Sequence, residues 1–483
     1  MRMHGMVIAF AASLAAIPAS DAATQPSFKL SPQRHAGSVV QVNGRRIVVP
    51  MFAEVCSYTG LTLSRYCREF AVANPELSEL TSILNSVQSA CKQIASISRG
   101  APLTALTHGR GLLDRGAASR PLDMVADSVL RNALKFTGKV SIIAGTEGTG
   151  IEALTNDDIY SSFRGEAKAD ESASQSGEAD SADEVDEVDG GFVAVLSPLD
   201  APANAAAGMP SGTIFGIFDE GTEECMVDFG DEEDEDGNGG LSFEELSLAS
   251  QAGLLQGLTP ADARRAATCM AKAMRPGSSL ITAGYCCYGS STMMVLTLGA
   301  GAHAFTLDAS SGEFVLTHPD ITLPLRGAAV SAGPGVAKGV MTPVADLLAR
   351  AQKRPGAFSS SSGSIVADFH RVLLQGGGLV AAPADDAHPD GHLKLLSEAA
   401  PLAFIAEQAG GAALTGLYPI MDVTPGALAQ RVPAFFGSAE DVLDVKEAYE
   451  AAARVDPKVK LNCAKRLEGP PTTAPQWLNS VSD

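Results

Sequence analysis

Apolar positions along the chain switch between two periodicities. Pro75-Glu76-Leu77-Ser78 leads into Leu80, Ile83, Leu84, Val87 and Ile94, a spacing of three and four that predicts a helix. Asp123 to Lys135 repeats that amphipathic pattern, and Val140 to Ala144 reads as a buried strand. Phe192 to Leu196, Gly212 to Phe218, Leu280 to Ala283, Met293 to Leu298, Ala302 to Leu307 and Glu313 to Leu316 are short β-rich runs, several separated by Gly or Asp turns. Leu402 to Gln408 is helical and stops at Ala409-Gly410-Gly411. Strands alternate with helices in both halves, which predicts a layered α/β or α+β protein.

The N-terminus has a different character. Arg2 and His4 precede an apolar run from Met6 to Ile17; Pro18 breaks it, and Ser20-Asp21-Ala22 offers a cleavage site. Residues 1–22 therefore read as a signal peptide. Residues 23–53 contain no acid but carry Lys29, Arg34, Arg45 and Arg46, as a transit peptide does. Signal plus transit segment predicts import into a plastid stroma, with ordinary secretion as the alternative. Both segments are expected to lie outside the fold. No apolar run reaches the length of a membrane span, so no membrane association is expected.

Charge changes the picture of the middle of the chain. The 483 residues hold 56 acids and 35 bases, a net charge of −21. Residues 165–190 carry ten of the acids and residues 219–245 thirteen, leaving a near-neutral body. This balance excludes a basic footprint for nucleic acid. Eight cysteines are too few for a disulfide scaffold of this length. The stretch 165–190 has too little apolar surface to pack and is expected to be a disordered loop.

Several blocks then occur in a recognisable order: Leu-Thr-Ser-Ile-Leu-Asn-Ser at 80–86, Pro198-Leu199-Asp200, Gly-Thr-Ile-Phe-Gly-Ile-Phe at 212–218, Ala-Gly-Tyr-Cys-Cys-Tyr-Gly-Ser at 283–290, Gly-Glu-Phe-Val-Leu-Thr at 312–317, Gly-Ser-Ile-Val-Ala-Asp-Phe-His-Arg at 363–371 and Glu-Gln-Ala-Gly-Gly at 407–411. With these blocks the chain resembles class 1 fructose-1,6-bisphosphatase in its plastid form, from about residue 58 to 455. The resemblance implies a two-lobed, five-layer αβαβα fold, with the family's N-terminal domain over 54–299, its C-terminal domain over 300–455 and a tail at 456–483. It also implies a homo-oligomer, two or three Mg²⁺ ions, and hydrolysis of the 1-phosphate of fructose 1,6-bisphosphate.

Phosphoryl transfer of this kind needs carboxylates that hold Mg²⁺ and a metal-bound water as nucleophile. The family's two adjacent Glu correspond here to Thr146-Glu147, and its Asp-Pro-Leu-Asp turn to Ser197-Pro198-Leu199-Asp200. Its last metal-binding Glu corresponds to Glu398. Glu147, Asp200 and Glu398 thus survive of five carboxylates, with Leu199 between the turn's ends, and Asp123 matches the acid that helps activate the water. The family's Gly-Ser-Ser-Asn phosphate cradle reads Ala201-Pro202-Ala203-Asn204, and Pro202 has no N–H to offer. Its substrate positions read Gly333-Pro334-Gly335-Val336, Ser360-Ser361, Ala382 and His392-Leu393-Lys394. Asn204, His392 and Lys394 are the substrate-binding candidates that remain. Losing single electrostatic groups typically costs on the order of 10²–10³ in rate, so lost or much reduced activity is expected. An active sugar phosphatase of altered specificity is the alternative, and association with an active paralogue another expectation.

The insertion at 219–275 carries two candidate switches. The resemblance aligns Cys225 with the first cysteine of the plastid family's thioredoxin-reducible loop and Cys269 with a second; two unpaired thiols are the alternative. Between them, Asp234, Asp236, Asn238, Gly240, Ser242 and Glu245 fall at ligand positions of an EF-hand calcium loop, with Gly239 at its turn. No second such loop accompanies it, and an acidic linker is the alternative reading. Cys286 and Cys287 read as inert core residues. A Ca²⁺- or redox-responsive regulatory protein on this scaffold is therefore a further reading.

Overall fold

The computed structural model describes residues 39–42, 45–48, 60–100, 121–145, 151–153, 191–220, 272–332 and 342–455. Within them the expected five layers are present. The first layer is helical: α1 (Leu63–Ala73), α2 (Leu80–Gly100) and α3 (Pro121–Lys135). Thr62 caps α1 by accepting the Arg65 amide, and Pro75 ends it. The apolar stripe of α2, from Leu80 through Ile83, Val87 and Ile94, packs with Phe215, Cys286 and Phe305 of the sheet beneath.

That sheet has eight strands in the order β10-β9-β8-β7-β6-β5-β3-β4. They are β3 (Val140–Gly145), β4 (Ile151–Ala153), β5 (Phe192–Ser197), β6 (Ser211–Asp219), β7 (Leu280–Tyr288), β8 (Thr292–Thr297), β9 (Ala302–Asp308) and β10 (Glu313–His318). β3 and β5 run parallel and the other neighbours antiparallel. β5 is buried along its whole length because helices cover both faces, so its sequence reads as a continuous apolar run.

The third layer is α6 (Ile365–Leu374) and α7 (Ala400–Gln408). Residues Ala400 to Ala406 of α7 are all buried, as befits a helix with sheets on two sides. The fourth layer is a five-stranded sheet, order β12-β11-β13-β17-β15, formed by β11 (Ala329–Ala332), β12 (Phe358–Ser359), β13 (Gly378–Ala382), β15 (Ala412–Leu414) and β17 (Ala434–Gly437). The fifth is α5 (Thr342–Gln352) and α8 (Ala439–Val455), packed on its far face. Strand alternation divides the two faces: Phe436 joins the core shared with α6 and α7, and Phe435 the core shared with α8. Tyr285, Phe369 and Phe436 touch in turn, with ring centroids 5.9 Å apart at each step, and cross three layers. A short α4 (Pro202–Ala206), β14 (Leu393–Lys394) and β16 (Arg431–Val432) are also present.

Three expectations need correction. Residues 23–53 do not lie wholly outside the fold: β1 (Val39–Val42) and β2 (Arg45–Val48) pair as a hairpin, and Ile47 is buried in the core under α2. The Asn74 side chain fastens it, accepting the Val48 amide at 2.8 Å and donating to its carbonyl at 3.1 Å. The boundary expected at 299/300 falls inside the first sheet, which continues through β9 and β10 to His318. The insertion expected to start at 219 starts later, because Asp219 ends β6 and Glu220 pairs with Lys272. Cys286 and Cys287 are buried free thiols on β7, as expected. Among the described residues no helix is long and apolar enough to cross a membrane. The signal segment, the stretch 165–190, Cys225, Cys269 and the calcium-like loop from Asp234 to Glu245 lie outside the described residues.

Candidate functional site

The parallel strands β3 and β5 end side by side, with Gly145 paired to Leu196. In open sheets of this kind ligands collect beyond the carboxyl ends of parallel strands. There β5 runs into Ser197-Pro198-Leu199-Asp200. The Asp200 amide donates to the Gly212 carbonyl at 2.8 Å, and Asp200 Oδ1 accepts the Gly212 amide at 2.6 Å. Asp200 Oδ2 accepts the Ser364 hydroxyl at 2.6 Å and the Val366 amide at 2.9 Å. Ser364 is itself the N-cap of α6, accepting the Ala367 amide. Asp200 thus joins the start of β6 to the start of α6. Gly212 permits the approach, since a Cβ there would lie 2.4 Å from Val366 Cγ1. Leu199 is packed in the core beneath α2, and Pro198 accepts a hydrogen bond from Thr213.

Glu398 reaches the same place from the one-turn π-helix Leu395–Ala399. Its Oε1 accepts the Ser197 hydroxyl at 3.2 Å and its Oε2 accepts the Lys394 amide at 2.9 Å. Burial, helped by the negative charge of Glu398 and opposed by the three hydrogen bonds that favour the charged form, pushes the Asp200 carboxyl up to about 6. Burial, with help from the Asp200 charge, also pushes the Cys287 thiol up to about 12. The structure therefore brings Ser197, Asp200 and Glu398 together.

Glu147 lies outside the described residues, two positions past the end of β3. Asp123 is buried in the first turn of α3, with Asp127 and Arg131 also buried along that helix. Arg131 Nε donates to Asp127 at 2.9 Å, and Glu152 of β4 bridges Arg131 and Lys135. The guanidinium sits against the strand ends: a Cβ on Gly145 would lie 2.9 Å from Arg131 Nη2 and 3.6 Å from the Leu196 carbonyl. Sequence reasoning passed over Arg131, though an arginine in line with Asp127 on a helix that packs on the sheet was a readable signal.

The remaining substrate candidates are engaged in local structure. Asn204, on α4, donates from its amide to the Pro210 carbonyl at 3.0 Å and the Ser362 carbonyl at 2.8 Å. His392 Nε2 lies 3.0 Å from Asp385, and Lys394 meets Glu398 through its backbone amide. The geometry thus unites Asp200, Glu398 and Lys394. It holds Asn204 on the neighbouring 362–364 segment and draws His392 into contact with Asp385.

Magnesium asks for near-octahedral oxygen ligands, usually carboxylates with free lone pairs and several waters. Among the described residues the donor set is a poor match. Ser197 gives a hydroxyl hydrogen to Glu398 where a second carboxylate would share an ion. Both Asp200 oxygens accept internal hydrogen bonds. A permanent guanidinium charge rests against the ends of β3 and β5.

Comparison with known proteins gives one answer throughout. Residues 323–450 match the family model described as the fructose-1,6-bisphosphatase C-terminal domain, and residues 251–319 the model of its N-terminal domain. The chloroplastic fructose-1,6-bisphosphatase of Pisum sativum is 34% identical over 380 residues, covering 77% of this chain and 78% of that one. The chloroplastic enzyme of Spinacia oleracea is 35% identical over 370 residues, covering 76% and 75%. Among solved structures, the holo form of Leishmania major fructose-1,6-bisphosphatase superposes with a TM-score of 0.60 over 81% of this chain and 99% of that one, at 24% identity.

Proposed function

The chain belongs to the fructose-1,6-bisphosphatase family, and from that premise we propose that it is a plastid member whose Mg²⁺-dependent phosphatase activity is lost or much reduced. The observation that carries this reading is the Ser197–Glu398 hydrogen bond. A neutral hydroxyl stands in the first position of the Asp-Pro-Leu-Asp turn and is turned toward the one surviving carboxylate from the C-terminal half. Replacing a carboxylate by a hydroxyl removes a negative charge from a site that must hold divalent cations. Two such losses, at Thr146 and Ser197, act on the same ions, so their effects are not additive, yet each alone is of the order of 10²–10³ in rate. The chloroplastic relatives support the plastid assignment.

On this reading the scaffold keeps its family roles of sugar-phosphate contact and oligomerisation, as a homo-oligomer or beside an active paralogue. The acidic insertion supplies control. Ca²⁺ at Asp234 to Glu245 and a thioredoxin-sensitive Cys225–Cys269 pair are the two devices its sequence supports. A second reading, an active sugar phosphatase of altered specificity, is favoured by one observation: Asp200 and Glu398 still sit close enough for one charge to raise the other's pKa. Phosphate release separates the two. Assayed with Mg²⁺ on fructose 1,6-bisphosphate and on a panel of sugar mono- and bisphosphates, the first reading expects background rates on all. The second expects turnover on one of the others.

A further inference from the structure

We propose that Asp385, His388 and His392 form a binding site for a divalent transition-metal ion of the Zn²⁺ class, separate from the Mg²⁺ carboxylates. The three residues lie in the loop between β13 and β14, in the sequence Asp385-Asp386-Ala387-His388-Pro389-Asp390-Gly391-His392. One carboxylate faces two imidazoles. His388 Nδ1 is 3.2 Å from Asp385 Oδ1, and His392 Nε2 is 3.0 Å from Asp385 Oδ2. The two imidazole rings lie against each other, with centroids 4.3 Å apart and planes tilted by 41°. One ligand atom from each residue falls within 4.8 Å of the others. Around a tetrahedral zinc, with bonds of about 2.0–2.1 Å, ligand atoms stand roughly 3.3 Å apart. Each imidazole already has a nitrogen near that separation from an oxygen of Asp385, His388 from Oδ1 and His392 from Oδ2.

The backbone holds this arrangement before any ion arrives. Asp385 Oδ1 accepts the amides of Ala387 at 3.0 Å and His388 at 2.6 Å, and the Gly391 amide donates to the His388 carbonyl at 2.9 Å. Gly391 has φ of +94°, and a Cβ on it would lie 2.1 Å from the Val432 carbonyl carbon. Only glycine lets the chain turn here, pressed on β16, and return His392 beside His388. The Arg431 guanidinium holds the His392 carbonyl from the other side. Asp385 is nearly covered, at 9% side-chain exposure, whereas His388 and His392 are 51% and 37% exposed. Two imidazoles and a carboxylate suit zinc and its borderline neighbours and offer little to Mg²⁺ or Ca²⁺. Three protein ligands with an outward-facing side leave the fourth position to water or to an oxygen of a bound anion.

The test is titration of the reduced full-length protein with Zn²⁺ by calorimetry and with Co²⁺ by absorption, since cobalt reports ligand type. The account expects one site that weakens at least about tenfold in His388→Ala and in Asp385→Asn, as loss of a direct ligand should exceed the effect of losing an outer partner. It expects imidazole–oxygen cobalt bands without thiolate character, and no change in a His318→Ala control. His388 is exposed, so its removal leaves the fold intact; should a variant misfold, the cobalt spectrum of the unaltered protein decides alone. No binding, thiolate bands, or equal affinity in protein and His388→Ala would each overturn the proposal.

Discussion

Asp200 is a clamp between layers. Both its oxygens are occupied by Gly212, Ser364 and Val366, so its removal strands three donors in a partly buried place. Asp200→Ala is expected to cost about 2–3 kcal/mol in urea unfolding; a loss below about 0.5 kcal/mol would show that the clamp is not structural. His370 gives a second reading at this scale. Its Nδ1 lies 2.9 Å from the Tyr285 hydroxyl, and burial, with the nearby His318 charge, lowers its pKa to about 4. The unfolded chain, near 6.5, binds that proton first, so the His370 contribution to stability is lost as pH falls from about 6.5 to about 4 and is flat above, against the opposite contribution of the raised Asp200. Thermal midpoints measured over that window should fall less steeply in His370→Gln.

At the scale of elements, the Asn74 side chain ties the hairpin β1–β2 to the body, beside the buried Ile47. Asn74 is buried and also donates to the Phe70 carbonyl at the end of α1. Asn74→Ala leaves the Val48 backbone groups without that partner. It is expected to cost about 2 kcal/mol and to speed hydrogen exchange at Val48; unchanged exchange would mean the hairpin is held otherwise. The sequence revealed some elements more readily than others. The strands of the first sheet were legible because burial on both faces writes continuous apolar runs, and α2 because one face repeats at helical spacing. The hairpin was missed because its basic, acid-free composition resembles a leader more than a strand pair. The clamp at Asp200 was missed because residues 200, 212 and 364 become neighbours only when layers pack. The family blocks located Glu398 and Ser197, but that the hydroxyl donates to the carboxylate follows from geometry alone. The Asp385-His388-His392 spacing stands in the sequence, but only the turn at Gly391 brings the two imidazoles onto one carboxylate.

At the scale of the whole molecule, the net charge of −21 belongs to additions on a near-neutral, five-layered body. Part of it is answered locally, since Glu220 pairs with Lys272 where the insertion leaves β6. The body retains the family's architecture through all five layers, with cores on both sides of each sheet. Those cores keep all five layers packed with Ser197 in the first position of the turn, so on the proposed reading the scaffold tolerates that replacement. That separation of fold from chemistry is the central claim, and Mg²⁺-dependent phosphate release from fructose 1,6-bisphosphate tests it most directly, measured beside a chloroplastic relative and a Glu398→Gln control. The account predicts a rate lower than the relative's by at least about 10²–10³ and no further loss in Glu398→Gln. Turnover comparable to the relative's, abolished by Glu398→Gln, would contradict it.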